Sequence, residues 1–295
     1  AYTGVKGYQP VVAVWAEADA VLAAEFRDGN VPARYRPANC VKTAFRSLPS
    51  TVTTFAFRGD SACYEDDLLQ WLRNEQREGG PKGRIDFAVS AVMSDPLRTA
   101  CRKVDEAQWT TFGAEANGVI RQWAEVDFVP SETYEKKDSQ PLRFVGIRIV
   151  KPQGELFDDG SQHKHFAICT NRNLPGEELI HWHRAKAGTV EHVHDELKNA
   201  LAGGAMPSKY FGANAAWFLI NCIAYNLSSA LRAAVPDPEF RTAKIKRLRF
   251  HFFNVTGRIV RDRRKIRLRL AAPRQWIAML MCVFERFTLR TVSTG

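Results

Sequence analysis

A carboxylate beside an amine on one helical face is how a catalytic acid is presented, and the run GTVEHVHDELKNALAGG, from Gly188 to Gly204, offers that pair. Glu191, His194, Asp195 and Lys198 fall at i, i+3, i+4 and i+7, so a helix would set them on one face. Val193, Leu197 and Leu201 make a neighbouring apolar stripe that can pack on a core while Glu191 and Lys198 stay open to a cleft. Thr189 is the expected helix cap, and Gly203 with Gly204 the expected end. A second acid lies upstream. TVTTFAFRGD alternates Val52, Thr54 and Ala56 against Thr53, Phe55 and Phe57, then leaves the strand at Arg58, Gly59 and Asp60. An Asp where a central strand leaves its sheet is a usual position for a metal ligand in an α/β protein, although Asp followed by Ser also suits a turn or a helix cap.

The other reactive residue types point elsewhere. Six cysteines are scattered without a CxxC pair, which argues against a zinc ribbon or a disulfide framework and fits a reduced cytoplasm. His163 and His165 would share a strand face, as would His181 and His183 if that stretch were extended. His192 and His194 are two apart on a helix and point in different directions, so they cannot act as the i, i+4 ligands of a zinc helix. Trp109 and Trp123 can serve a small core or stack on an extruded base.

At 295 residues the chain exceeds a typical single domain, and 45% hydrophobic with 25% charged residues is the composition of a folded globular protein. A net charge of +10 favours a polyanionic partner, nucleic acid first and an anionic membrane surface second. Two β-rich runs, YQPVVAVWAEADA and VLAAEFRDGN, read as the opening of an antiparallel meander. A helix is expected around Cys40–Leu48 and another within SACYEDDLLQWLRNEQ, followed by the strand RIDFAVS. Far more chain separates Asp60 from Glu191 than a strand-to-helix connection needs. AEVDFVP, LRFVGIRIVK and KHFAICTN make much of that interval β-rich, with the polar runs SETYEKKDSQ and PQGELFDDGSQ between them. The apolar run Ala213–Val235 holds Asn214, Asn221, Asn226, Ser228 and Ser229, so it reads as a buried helix and not a membrane span. From Arg241 to Arg269 the chain carries twelve Lys or Arg and one acid, Asp262, interleaved with apolar residues, as an amphipathic element with a basic face would.

These pieces stand in an order that resembles DDE transposases of bacterial insertion sequences. The run ELIHWHRAKAGTVEHVHDELKNALAGGAMPSKYFGANAAW resembles the signature around their last catalytic acid, FRGDSACY that around the second, and RLRFHFFNVTGRIVRDRRKIRLRL their C-terminal end. Glu191 and Lys198 keep the Glu, six residues, Lys half of the wider signature. The upstream half is out of register, with Ala187 where Arg and Arg184 where Tyr would stand.

The resemblance implies an α/β fold with a ribonuclease H-like (retroviral-integrase-like) mixed sheet flanked by helices. Its parts would be a first portion of the catalytic core (1–94), a β-rich insertion (95–170), a second portion with the Glu helix (171–235) and a basic C-terminal segment (236–295). Asp60 and Glu191 would be catalytic and metal-binding, with Mg²⁺ as cofactor and Mn²⁺ as substitute. Arg184, Lys186, Lys198, Arg261, Arg263 and Arg264 would contact DNA. The partners would be double-stranded DNA, as transposon ends and target, and a second copy of the chain on that DNA; the setting would be a bacterial cytoplasm. In the family a first Asp precedes a GYQP landmark, and this chain opens AYTGVKGYQP, so that strand and its acid are expected before residue 1, and the chain is expected to be a fragment that binds DNA but cuts it poorly or not at all. Asp19 and Asp28 both follow the landmark and do not match the first acid. A basic DNA-binding protein without chemistry and a nuclease of the same fold are the alternatives.

Overall fold

The computed structural model describes residues 7–130, 142–152, 155–158, 160–262 and 265–292. The chain divides into two compact units, one of Ala1–Val11 with Gly29–Gly188 and one of Val12–Asp28 with Thr189–Gly295.

The first unit is built on a six-stranded mixed sheet. In chain order its elements are α1 (Pro37–Arg46), β3 (Phe55–Gly59), α2 (Asp66–Arg73), β4 (Ile85–Ser90), α3 (Asp95–Lys103), β5 (Thr110–Ala114), β6 (Ile120–Val126), β7 (Arg143–Val150), β8 (His163–Thr170) and α4 (Gly176–Arg184). The strands lie in the order β3-β4-β8-β7-β6-β5; β3 and β4 are parallel and every other pair is antiparallel. Period-two alternation buries both faces. Ile85, Phe87, Val89, Phe144 and Cys169 pack against α1, α2 and α3, whereas Ala88, Val145, Ile147 and Ile168 pack against Leu179 and Ile180 of α4. The result is the mixed, helix-flanked α/β sheet of a ribonuclease H-like protein.

Helix signals are local and legible. Pro37 opens α1, Glu65 accepts from Leu68 N at 3.1 Å to start α2, and Ser94 accepts from Leu97 N to start α3. Asp66 and Asp67 in the first turn of α2 and Arg73 in its last complement the helix dipole. α3 interrupts the stretch expected to be largely β, because Ser94, Asp95 and Pro96 form a strong helix start. The polar run SETYEKKDSQ lies outside the described residues.

The second unit contains β1 (Val11–Trp15), which begins one residue before it, and β2 (Ala20–Glu25). These two strands form a sheet of their own, the two-stranded start of the expected meander, and no strand of the six-stranded sheet continues it. The physical reason is a partner of another kind. The Asn226 side chain accepts from Val21 N at 2.7 Å and donates to Val21 O at 2.8 Å, doing for β2 what a neighbouring strand would do. Asn226 lies on α6 (Phe211–Ala234), the long helix expected to be buried. Its inner side is in fact the more polar one: Asn214, Asn221, Ser229 and Arg232 are buried, while Leu219, Ile220, Ile223 and Leu227 are exposed. Tyr225, Ser229 and Arg232 all donate to the carboxylate of Asp19 in the β1–β2 turn, with Arg232 at 2.6 Å. No helix among the described residues is long and apolar enough to cross a membrane.

The unit is completed by the C-terminal turn of α5 (Lys186–Asp195), the one-turn helix α7 (Ile245–Leu248), the hairpin β9 (Gly257–Asp262) with β10 (Lys265–Leu270), and α8 (Arg274–Val292). Val193, Leu197, Phe218, Cys222, Tyr225 and Ile245 share a core with Val21.

Candidate active site

Asp60 follows the last residue of β3, whose Gly59 pairs in parallel register with Val89 of β4. The chain turns sharply there. A Cβ on Gly59 would stand 2.7 Å from Cys63 Cβ, so only glycine lets the Ser61–Cys63 turn fold back on the strand. Asp60 Oδ1 caps that turn by accepting from Ala62 N at 3.0 Å, and the Asp60 side chain is exposed. The capping role and a ligand role are compatible, since one hydrogen bond leaves Oδ2 and further lone pairs of a carboxylate open. Beside it the Cys63 thiol is pushed up to about 12, first by burial and then by the Asp60 charge, so it stays protonated and is no nucleophile.

The Trp182-His183-Arg184 motif sits on α4, so the expected extended pairing of His181 with His183 does not occur. Leu179, Ile180 and His183 turn inward on one helical face. The start of α4 lies so close to Trp123 that a Cβ on Gly176 would stand 2.2 Å from the indole ring. Trp123 thus belongs to a core contact, and Trp109 is 7% exposed beneath the Arg148 guanidinium at 4.5 Å. Neither tryptophan is presented for base stacking. Trp182 receives two guanidiniums, Arg58 at 5.3 Å and Arg172 at 4.2 Å, and Arg58 also donates to its carbonyl at 2.9 Å. Arg184 is exposed, with its guanidinium 5.4 Å from the Phe112 ring centre. Lys186 is half-buried and donates toward His183 Nε2 at 2.9 Å; burial draws its pKa down while the Asp60 charge holds it up.

Glu191 lies on α5 and is exposed, with no hydrogen bond or ion pair among the described residues. The helix starts at Lys186, three residues before the expected cap Thr189, because α4 runs into it after Ala185 and leaves no free helix end to cap. Past Asp195 the helix widens into a π turn, Glu196–Ala200, which takes one residue more per turn. Lys198 is exposed, but this turn rotates it away from the i, i+7 alignment with Glu191 that a regular helix would give. The π turn also brings Glu196 inward: it is 1% exposed and accepts from Ile245 N at 2.9 Å, capping α7. Sequence reasoning did not single out this acid. The helix ends as expected near the glycines, with Gly203 N bonded to Leu197 O at 2.8 Å and Gly204 N to Lys198 O at 3.3 Å. The left-handed residue of the cap is Ala202, φ 58°, and not a glycine.

Hairpin β9–β10 sorts the basic segment by register. Arg258, Lys265, Arg267 and Arg269 share one face, whereas Arg261 faces the other way with Ile259, Ile266 and Leu268, all exposed. Arg263 and Arg264 lie outside the described residues.

The family model described as Transposase DDE domain group 1 matches residues 1–291. The chain belongs to this family and is a DDE transposase. No curated protein sequence matches it. DDE transposases act on DNA, as recombination enzymes that generally use divalent metal. The two acids suit such an ion in donor chemistry: both are exposed carboxylates with oxygens left open, and hard divalent cations prefer oxygen. Among the described residues no group of three His, Cys, Asp or Glu gathers as a metal site.

Proposed function

We propose that this transposase cuts and joins the DNA ends of a bacterial insertion sequence, with Asp60 and Glu191 as its metal-holding acids and Mg²⁺, or Mn²⁺ in its place, as the ion. What carries the reading is Asp60, set by Gly59 and Ala62 at a strand end with an oxygen left open, in a chain matched by the transposase family over residues 1–291. Bound metal would activate the attacking oxygen and stabilise the leaving one in an in-line displacement at phosphorus. The chain's own residues do the rest. The carboxylates of Asp60 and Glu191 supply oxygen ligands, and Lys186, Arg184 and Lys198 meet backbone phosphates. Two copies of the chain work on paired ends.

The basic face of β9–β10 adds affinity that is blind to sequence and falls with salt. Arg258→Ala, Lys265→Ala and Arg269→Ala should each lower the slope of log K against log salt by about one. Arg261→Ala, on the apolar face, should lower it less; fluorescence anisotropy across a salt series compares them.

The direct test is nicking of a supercoiled plasmid bearing the element's own terminal sequences, with Mn²⁺, by the wild type, Asp60→Ala and Glu191→Ala. Nicking and joining by the wild type alone support the proposal. Binding without cutting in all three, and in the full-length protein as well, points to a DNA-binding protein, and cutting without joining to a nuclease.

A further inference from the structure

His183 has no part in the reading above, yet it lies at the centre of the Asp60 region. It is 5% exposed, and its Nε2 stands 3.1 Å from Gly59 O, 3.3 Å from Ser90 Oγ and 2.9 Å from Lys186 Nζ. Burial, and then the Lys186 charge, push its pKa down to about 4, so at neutral pH the ring carries one N–H. The demands on Nε2 conflict. A carbonyl oxygen only accepts, so Gly59 needs the proton on Nε2. An ammonium only donates, so Lys186 needs a lone pair there. Ser90 can turn its hydroxyl to suit either, but a single nitrogen cannot serve Gly59 and Lys186 together.

The ring therefore has two arrangements. In one the proton is on Nδ1 and Nε2 accepts from Lys186; in the other the proton is on Nε2 and is donated to Gly59 O. Passage between them moves one proton from Nδ1 to Nε2 by exchange with water and changes no net charge. The choice has consequences for the site. Gly59 directly precedes Asp60, and Ser90 ends the parallel neighbour β4, so the second arrangement ties the strand end that carries Asp60 to helix α4. Lys186, half-buried and one turn beyond His183, is an amine for which a phosphate oxygen is a better partner than an imidazole.

We infer that His183 is a positioning residue that gives up Lys186 and takes the Gly59 carbonyl when Lys186 engages a DNA phosphate, so that binding the backbone fixes Asp60. The inference rests on the proposed role of Asp60. Side-chain ¹⁵N resonances of His183 in the full chain report the position of the proton. In the wild type Nε2 should be unprotonated, and a short blunt duplex at low salt should convert it to the protonated form. Lys186→Met should show the protonated form without DNA. The same Nε2 state in the wild type and in Lys186→Met, or a wild-type state that the duplex does not move, overturns the inference.

A second pair of variants reads the consequence. In His183→Gln one amide can donate to Gly59 and accept from Lys186 at once, so nicking should stay within about threefold of wild type. His183→Phe fills the space without a polar atom and should lose about tenfold or more in kcat with the Kd for DNA unchanged; equal loss in both variants, or a loss carried by Kd, overturns the inference. Asp60→Ala tests the underlying reading separately. If it nicks like the wild type while Nε2 still switches, the assignment of Asp60 has failed and the His183–Lys186 coupling stands.

Discussion

Asp60 and Glu191 are held in opposite ways. Asp60 is fixed from several sides, by a glycine that only a sharp turn explains, a backbone N–H on its carboxylate and a strand end that His183 touches. Glu191 rises from the middle of a helix with nothing on its carboxylate among the described residues, one turn before the helix widens. The strand end is specified by local backbone chemistry, the helix position by periodicity alone. A group held by many partners resists substitution through structure; one held by none responds only through chemistry.

That contrast is sharpest in a paired measurement. Asp60→Ala and Glu191→Ala should each lower metal-dependent nicking by about 10³-fold or more, as expected when a ligand to a catalytic metal is lost. Their stabilities should differ. Asp60→Ala also removes a cap and should lower unfolding free energy by about 1 kcal/mol, whereas Glu191→Ala should leave it within about 0.5 kcal/mol. Equal stabilities in urea titrations would break the comparison.

The next largest effect is structural and belongs to the first unit. Arg77 is 1% exposed and donates to four carbonyls, Trp71 O and Leu72 O at 2.9 Å, Gly83 O at 2.7 Å and Pro81 O at 2.5 Å. It closes the C-terminal end of α2 and the loop into β4 in one move. Arg77→Ala should cost about 3 kcal/mol or more, since four buried acceptors lose their donor together, and a large fall in the urea midpoint would show it.

Acid should act on the same unit. The His183 pKa lies near 4 against an ordinary 6.5, because burial disfavours the charged ring, and His165 is pushed to about 4 chiefly for the same reason. In the unfolded chain these rings take protons near pH 6.5, while in the folded state they refuse them until about pH 4. Stability is therefore complete above pH 6.5, falls through the window from 6.5 to 4 and levels off below it, by about 3 kcal/mol for His183. His183→Gln should flatten this slope, which tryptophan fluorescence against urea at several pH values measures.

Much of this was legible before any coordinates. Strands β3, β4, β7 and β8 coincide with the runs TVTTFAFRGD, RIDFAVS, LRFVGIRIVK and KHFAICTN, and Glu191 with Val193 and Leu197 fell on the exposed and buried sides that a helical period predicts. What stayed hidden depends on partners distant in sequence. The separation of β1–β2 from the main sheet hinges on Asn226, some two hundred residues away, and the inward turn of Glu196 hinges on the N–H of Ile245 and a π turn that no spacing rule announces. The face that Arg261 takes stayed hidden for another reason, since counting basic residues cannot tell which side of a hairpin each will occupy, and register can.

The smallest expected effect lies where the second unit departs from a rule that its own sequence offers. Gly203 and Gly204 were the natural residues to end the Glu191 helix, yet the left-handed position falls on Ala202, at φ 58°. The extra residue consumed by the π turn accounts for the offset, because it shifts where the helix must close. An L-residue with a Cβ pays roughly 1 kcal/mol in that region, a penalty that glycine escapes. Ala202→Gly should therefore raise stability by up to about 1 kcal/mol, less what the added freedom gives the unfolded chain. It should also leave nicking unchanged, since it alters neither acid. A loss of stability would mean that the helix closes elsewhere in solution, and with it the phase that sets Lys198 apart from Glu191.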